Sequence, residues 1–311
     1  MPMDVSVSES LSADDWLSTI EREYLGEFVR DGGAAVKFVV ADTGTGRQAL
    51  SARLQGAAQD NGYLFVGLDA AHIRVHMIDK VFHEVARHVA WDDLARDYSD
   101  RLLAALGYPA PLDPRDRLSR PRVERELQGQ LLHHYGMSQE FRIAMLWLCM
   151  AQLYPEEPNL SRATAVQEWL RGELRLISAV TRAGLFQKIG RHDARHMLMS
   201  LSAWLHACGR TGLVLALDIA RCLETPPRRG ERDDSVYYSG GAFMDGYEVL
   251  RQFVDGTDEM ERCLIVVMAP PTLLTDERRS LSSYQALKLR VLAEVHDRRR
   301  ANPRAPLVRV H

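Results

Sequence analysis

The residues with the most specific chemical implication lie in "KFVVADTGTGRQALSARL", residues 37–54. An apolar run, Phe38-Val39-Val40, leads into Gly44-Thr45-Gly46, and Leu50 and Leu54 then share one face of a predicted helix. Strand, glycine turn and helix in that order can make an anion site. The glycines let successive backbone N–H groups turn toward one centre, and the helix N-terminus behind them adds its partial positive charge. The phosphate-loop pattern is G-x-x-x-x-G-K-[ST], in which the lysine reaches the β- and γ-phosphates and the hydroxyl ligates Mg²⁺. Here the corresponding positions read Ala41-Asp42-Thr43-Gly44-Thr45-Gly46-Arg47-Gln48. Gly44, Thr45, Gly46, Arg47 and Gln48 are therefore the candidate cofactor-binding residues. Arg47 keeps the charge but is a planar fork in place of a compact ammonium. Gln48 offers a neutral amide where a hydroxyl should meet magnesium, and Ala41 replaces the first glycine.

The second half of such a site is an acidic residue at the carboxyl end of a buried strand, where it can hold a magnesium shell beside the phosphate loop. Leu213-Val214-Leu215-Ala216-Leu217-Asp218 supplies it, with Asp218 as the candidate catalytic residue. The residue after it is Ile219, which cannot orient a water molecule. Helix capping is the competing role for Asp218.

Other chemistry-bearing residues are weaker. His192 and His196 in "RHDARH" share a helix face, yet Asp193 is not the Glu of H-E-x-x-H and no third ligand suggests itself. His72, His76, His83 and His88 form a diffuse set near a helix and read as surface residues. Cys149, Cys208, Cys222 and Cys263 are far apart with no C-x-x-C pair, which argues for no metal site and fits a reducing, cytoplasmic setting. The net charge of −3 is uneven: Lys288 to His311 is net +5, leaving −8 on the remainder. That basic tail, with Arg298, Arg299, Arg300 and Arg304, is the one candidate nucleic-acid contact.

These residues need elements to position them. Trp16, Ile20, Leu25 and Phe28 give a helical stripe stopped by Gly32-Gly33. A strand at 36–40, the loop and its helix to about Asp60, a second strand at 63–68 and a helical pattern at 76–90 make a β-α-β-α opening. Residues 91–210 show helical windows broken by "GYPAPLDPRD" and "YPEEPNLS". Continuous apolar runs return at 212–218 and 263–270, as strands covered on both faces require, and 306–311 reads as an edge strand. The charged, Pro- and Gly-rich stretch 224–241 reads as a mobile loop. The first thirty residues are acidic and carry no signal-peptide core, and no apolar run reaches the ~20 residues of a membrane helix. The expected organisation is an N-terminal helical segment (1–35), a first core half (36–90), a helical insertion (91–210) and a second core half with the basic tail (211–311). The expected fold is an α/β P-loop NTPase-type parallel sheet with helices on both faces.

The chain resembles the ATP-binding proteins of BREX-type phage-defence systems, a P-loop ATPase group of the AAA+/RecA-like class. The resemblance is carried by "EYLGEFVRDGGAAVKFVVADTGTGRQALSARL", "GYLFVGLDAAHIRVHMIDKVFHEVARHV" and "LMSLSAWLHACGRTGLVLALDIARCLE", and by "GYEVLRQFVDG" followed by "CLIVVMAPPTLLTD". It implies ATP and Mg²⁺ as ligands and other defence-complex subunits as partners. The sequence departs from the family at Ala41, Arg47, Gln48 and Ile219, and at Met268-Ala269-Pro270, where a polar sensor residue belongs. Three readings remain at this point. The chain is a pseudo-ATPase scaffold or weak nucleotide binder; or an active ATPase remodelling a protein or DNA complex, with Arg47 in the lysine role and a carboxylate such as Glu224; or a DNA-binding module working through its C-terminus.

Overall fold

The computed structural model describes residues 10–112, 118–228, 233–292 and 302–311. It divides the chain into two compact units, Met1–Val81 with Thr211–His311, and Phe82–Arg210.

The first unit is built on five parallel strands: β1 (Ala34–Ala41), β2 (Leu64–Asp69), β3 (Leu213–Asp218), β4 (Cys263–Ala269) and β5 (Leu307–Val310). Their order is β2-β3-β4-β1-β5. All three inner strands are buried over most of their length, which is why they read as unbroken apolar runs rather than alternating ones. The pleat still sorts their side chains. Val39, Ala41, Val214, Ala216, Leu264, Val266 and Met268 join one core with α1 (Ala13–Thr19), the π-helical Ile20–Phe28 and α2 (Gly44–Asp60). The alternate residues Phe38, Val40, Leu215, Leu217, Ile265 and Val267 are buried toward the opposite face. The chain moves outward from β1 to β2 and back through β3 to β4, and right-handed crossovers then place the connecting segments on opposite faces. The expected α/β sheet with helices on both faces, of P-loop NTPase-like type, is the fold observed.

The α-helices that remain among the described residues of this unit are α3 (Ile78–Arg87, which continues into the second unit), α10 (Ala220–Leu223), α11 (Gly240–Asp255), α12 (Thr272–Thr275) and α13 (Gln285–Leu292). The stretch 224–241 has a fixed point. Tyr238 is buried, its hydroxyl donating to the Ile73 carbonyl at 2.6 Å with the Ala70 carbonyl also in reach at 2.9 Å, and accepting from the Val75 N–H at 3.2 Å. The edge strand β5 pairs with β1, and its outer side meets Leu11 in a single bridge.

In Phe82–Arg210 every regular element among the described residues is helical: α4 (Trp91–Leu106), α5 (Arg120–Leu132), α6 (Gln139–Leu153), α7 (Asn159–Leu170), α8 (Ser178–Thr181) and α9 (Arg191–Ala207). Trp91, Phe141, Leu148, Val166 and Trp204 are fully or almost fully buried within it. The Trp91 indole N–H is satisfied by the Ala86 carbonyl at 2.8 Å.

One glycine is required by close approach. A Cβ on Gly212, at the start of β3, would lie 2.1 Å from the Arg262 carbonyl oxygen that accepts the Leu213 N–H. Backbone cannot yield there without loosening the β3–β4 register. Gly212→Ala is expected to lower stability by about 1–3 kcal/mol, as overpacking does. Urea denaturation checks this, and an unchanged midpoint would show that the strand start has slack.

Candidate functional site

The carboxyl ends of the strands gather the polar groups that the sheet interior excludes. Asp42 follows β1, Asp69 ends β2 and stands in register with Asp218 of β3, and Asp218 in turn stands opposite Met268 of β4. Asp218 continues the Val214–Ala216 alternation, so the pleat directs its side chain to the face carrying α2. On α2 the buried positions are Arg47, Leu50, Leu54 and Ala58, a stripe at helical spacing with the arginine at its N-terminal end. The two periodicities converge. Arg47 Nε donates to Asp218 Oδ2 at 2.9 Å, with the two side chains 10% and 18% exposed. The second oxygen, Oδ1, accepts the Ala220 N–H at 2.9 Å. Both carboxylate oxygens are therefore committed.

The loop between β1 and α2 is shorter than the sequence pattern suggests. Only Asp42 and Thr43 separate them, and Gly44, Thr45 and Gly46 form the first turn of α2 rather than a turn before it. Thr43 causes this. In extended conformation it caps the helix, its hydroxyl accepting the Gly46 N–H at 2.9 Å. Neither Gly44 nor Gly46 has positive φ, so the alternating left-handed backbone of an anion nest is not formed. What Gly46 supplies is room, since a Cβ there would fall 2.9 Å from the Thr43 hydroxyl. Gln48 lies one residue round the helix from Arg47 and is exposed. Asp42 accepts from Arg309 of β5 at 3.1 Å.

Ile219 is 1% exposed and its N–H donates to the Met268 carbonyl at 2.9 Å, so this position belongs to the core. Glu224 is exposed and held by Arg221 at 2.5 Å. The set of groups present does not suit a magnesium–nucleotide complex: the acidic ligand is spent on a guanidinium, the amide at 48 faces solvent, and the N–H of Gly46 is taken.

The family model described as BREX system ATP-binding protein BrxC/D matches residues 18–311. The chain belongs to that family. Neither a curated protein nor a solved structure shows a match. This BREX-family chain is thus a component of a BREX defence system, in a family of ATP-binding proteins.

The other sequence candidates fall out differently. His192 and His196 are exposed on α9, and among the described residues no group of three or more His, Cys, Asp or Glu side chains could hold a metal ion. His72 and His88 are exposed, but His83 is buried, its Nδ1 3.0 Å from the Leu170 carbonyl, a core histidine rather than a surface one. All four cysteines are buried, and burial pushes the thiols of Cys149, Cys222 and Cys263 up to about 12, so these stay protonated at neutral pH. Among the described residues no helix is long and apolar enough to cross a membrane.

In the tail, Arg298, Arg299 and Arg300 lie outside the described residues. Arg304 is not a free cation: it forks onto Glu23, Nε to Oε2 at 2.5 Å and Nη2 to Oε1 at 2.7 Å. Arg290 pairs with Asp255 and Arg309 with Asp42. Sequence reasoning missed Lys37, a buried lysine in β1 whose Nζ donates to the Arg304 carbonyl at 2.5 Å and lies over the Tyr24 ring. A lone charge inside an apolar strand was the available signal.

Two predictions follow from these pairs. Asp218→Ala leaves the Arg47 guanidinium buried and unpaired and is expected to cost about 3 kcal/mol, the low end for a broken buried pair because Asp218 keeps some exposure. The double variant Arg47→Met/Asp218→Leu is expected to be near wild type. Chemical denaturation of the three proteins decides, and equal losses in the single and double variants would deny the pairing. For Glu23, hydrogen bonds from Arg304 and then Arg22 hold its carboxyl at about 2, against 4.5 ordinarily. A depressed folded value stabilises above the unfolded one and is lost as pH falls through the window from 4.5 to about 2. Glu23→Gln should flatten the acid side of the stability–pH curve in that window, and an unchanged slope would contradict it.

Proposed function

We propose that the chain serves its BREX complex as a pseudo-ATPase, a P-loop-type scaffold whose nucleotide position is closed by its own residues. The observation that carries this reading is the Arg47–Asp218 ion pair. In a working site the corresponding groups face outward, the cation to the β- and γ-phosphates and the carboxylate to magnesium. Here each has taken the other as partner. The capped α2 N-terminus, the solvent-facing Gln48 and the core role of Ile219 support the same conclusion. The sheet and its helices meanwhile retain a full core, as a docking platform for other subunits requires.

The competing reading, an active ATPase, draws no support from Glu224, which is paired with Arg221. The DNA-binding reading loses Arg304 to Glu23.

The purified protein is expected to release phosphate from ATP at background rate. Turnover of about 1 s⁻¹ or more, an ordinary kinase rate, that disappears in Asp218→Ala would overturn the reading. Isothermal titration with ATP and Mg²⁺ should show no binding in the low micromolar range, roughly −8 kcal/mol.

A further inference from the structure

Between α7 and α9, residues 171–190 form a strap on the Phe82–Arg210 unit that includes the short α8. Its inner side is fixed. Leu174, Val180, Ala183, Leu185 and Ile189 are buried. The Trp169 indole donates to the Gln187 carbonyl (2.8 Å) and the Trp147 indole to the Ala183 carbonyl (2.9 Å).

Its outer side is apolar where a surface loop should be polar. Leu176 is 71% exposed and Phe186 76%. Lys188 Nζ donates to the carbonyls of Leu174 (2.7 Å) and Arg175 (3.3 Å), clipping the two ends of the strap together. Leu176 is next to Arg175 and Phe186 is two residues from Lys188, so both exposed apolar residues flank this clip. Around them the strap is cationic. Residues 171–190 carry Arg171, Arg175, Arg182 and Lys188 against Glu173, net +3 in a chain of net −3. Glu173 is occupied by Arg87 at 3.2 Å. Arg175 and Arg182 are exposed and, among the described residues, have no ion-pair partner.

We propose that this strap docks an acidic amphipathic segment of a protein partner, whose apolar side chains cover Leu176 and Phe186 and whose carboxylates pair with Arg175 and Arg182. The charge specifies an acidic occupant. The exposed leucine favours protein over nucleic acid, because a phosphate backbone would use the guanidiniums and a base would stack on Phe186, while Leu176 would stay in water. The inference is independent of the state of Arg47 and Asp218.

The test is fluorescence anisotropy on the full chain with three probes: a labelled helical peptide of about 20 residues, long enough to hold a helix, with Leu at i, i+4 and i+7 and Glu at the positions flanking that stripe; its Lys-for-Glu counterpart; and a single-stranded DNA of similar length. The acidic peptide is expected to bind and the basic one not. Leu176→Ser/Phe186→Ser and Arg175→Glu/Arg182→Glu should each weaken it by at least about tenfold, with melting temperatures unchanged since all four side chains are exposed. The proposal is overturned if wild type does not bind the acidic peptide, or if either double variant binds it as wild type does. It is equally overturned if DNA binds more tightly than the peptide and responds to the arginine changes but not to Leu176→Ser.

Discussion

Burial of both faces of the parallel sheet is the constraint from which the rest of the first unit follows. With Val39 and Ala41 turned to one core and Phe38 and Val40 to the other, β1 has no side on which to carry a polar group, and β3 and β4 are in the same position. Lys37 is the exception, and it is held by backbone carbonyls at the entry to β5 and by the Tyr24 ring. In β1, β3 and β4 the other charged groups are displaced to the strand ends. Asp42, Asp69 and Asp218 therefore stand at one edge of the sheet because the interior cannot hold them.

What happens at that edge is decided by two periods meeting. The two-residue period of β3 sends Asp218 toward α2, and the helical spacing of Leu50, Leu54 and Ala58 brings Arg47 over it. A lysine could neutralise the carboxylate as a point charge, but the arginine fork can bond through Nε while the rest of the guanidinium packs as part of a buried stripe. Such a pair adds little net stability over apolar residues of similar volume, yet breaking it strands a charge. It therefore fixes the local arrangement more strongly than it stabilises the fold.

Much of this was legible beforehand. Apolar runs marked all five strands, most plainly the three inner ones, because doubly covered strands announce themselves by composition. The helical character of the middle of the chain was legible in its helix-like windows broken by prolines. The candidate site was legible in its residues but not in its contacts. Arg47 and Asp218 are 171 positions apart in sequence, and nothing local says that they meet, although the parity of Val214, Ala216 and Asp218 and the stripe from Arg47 to Ala58 together imply it. The glycine-rich stretch misled for a local reason: Thr43 is a strong cap, and a cap one residue before Gly44 turns an expected loop into helix. The π-helical Ile20–Phe28 had no sequence signal at all. Its stripe of apolar residues fits an ordinary helix equally well.

On the proposed reading, two of the departures from the family pattern are residues with structural work of their own. Arg47 neutralises Asp218, and Ile219 fills the core beneath the end of β3. Returning either of them to the family residue removes a structural contact before it restores a chemical one. Arg47→Lys trades a packed fork for a short ammonium, and Ile219→Glu puts a carboxylate where 1% of the side chain reaches solvent, a burial that an unpaired charge does not tolerate. The route back to a hydrolytic site is therefore not a sequence of neutral steps. Groups that act as a unit in catalysis are non-additive, and here they are divided between the core and the ion pair, so each reversal would first have to be compensated where that residue now sits.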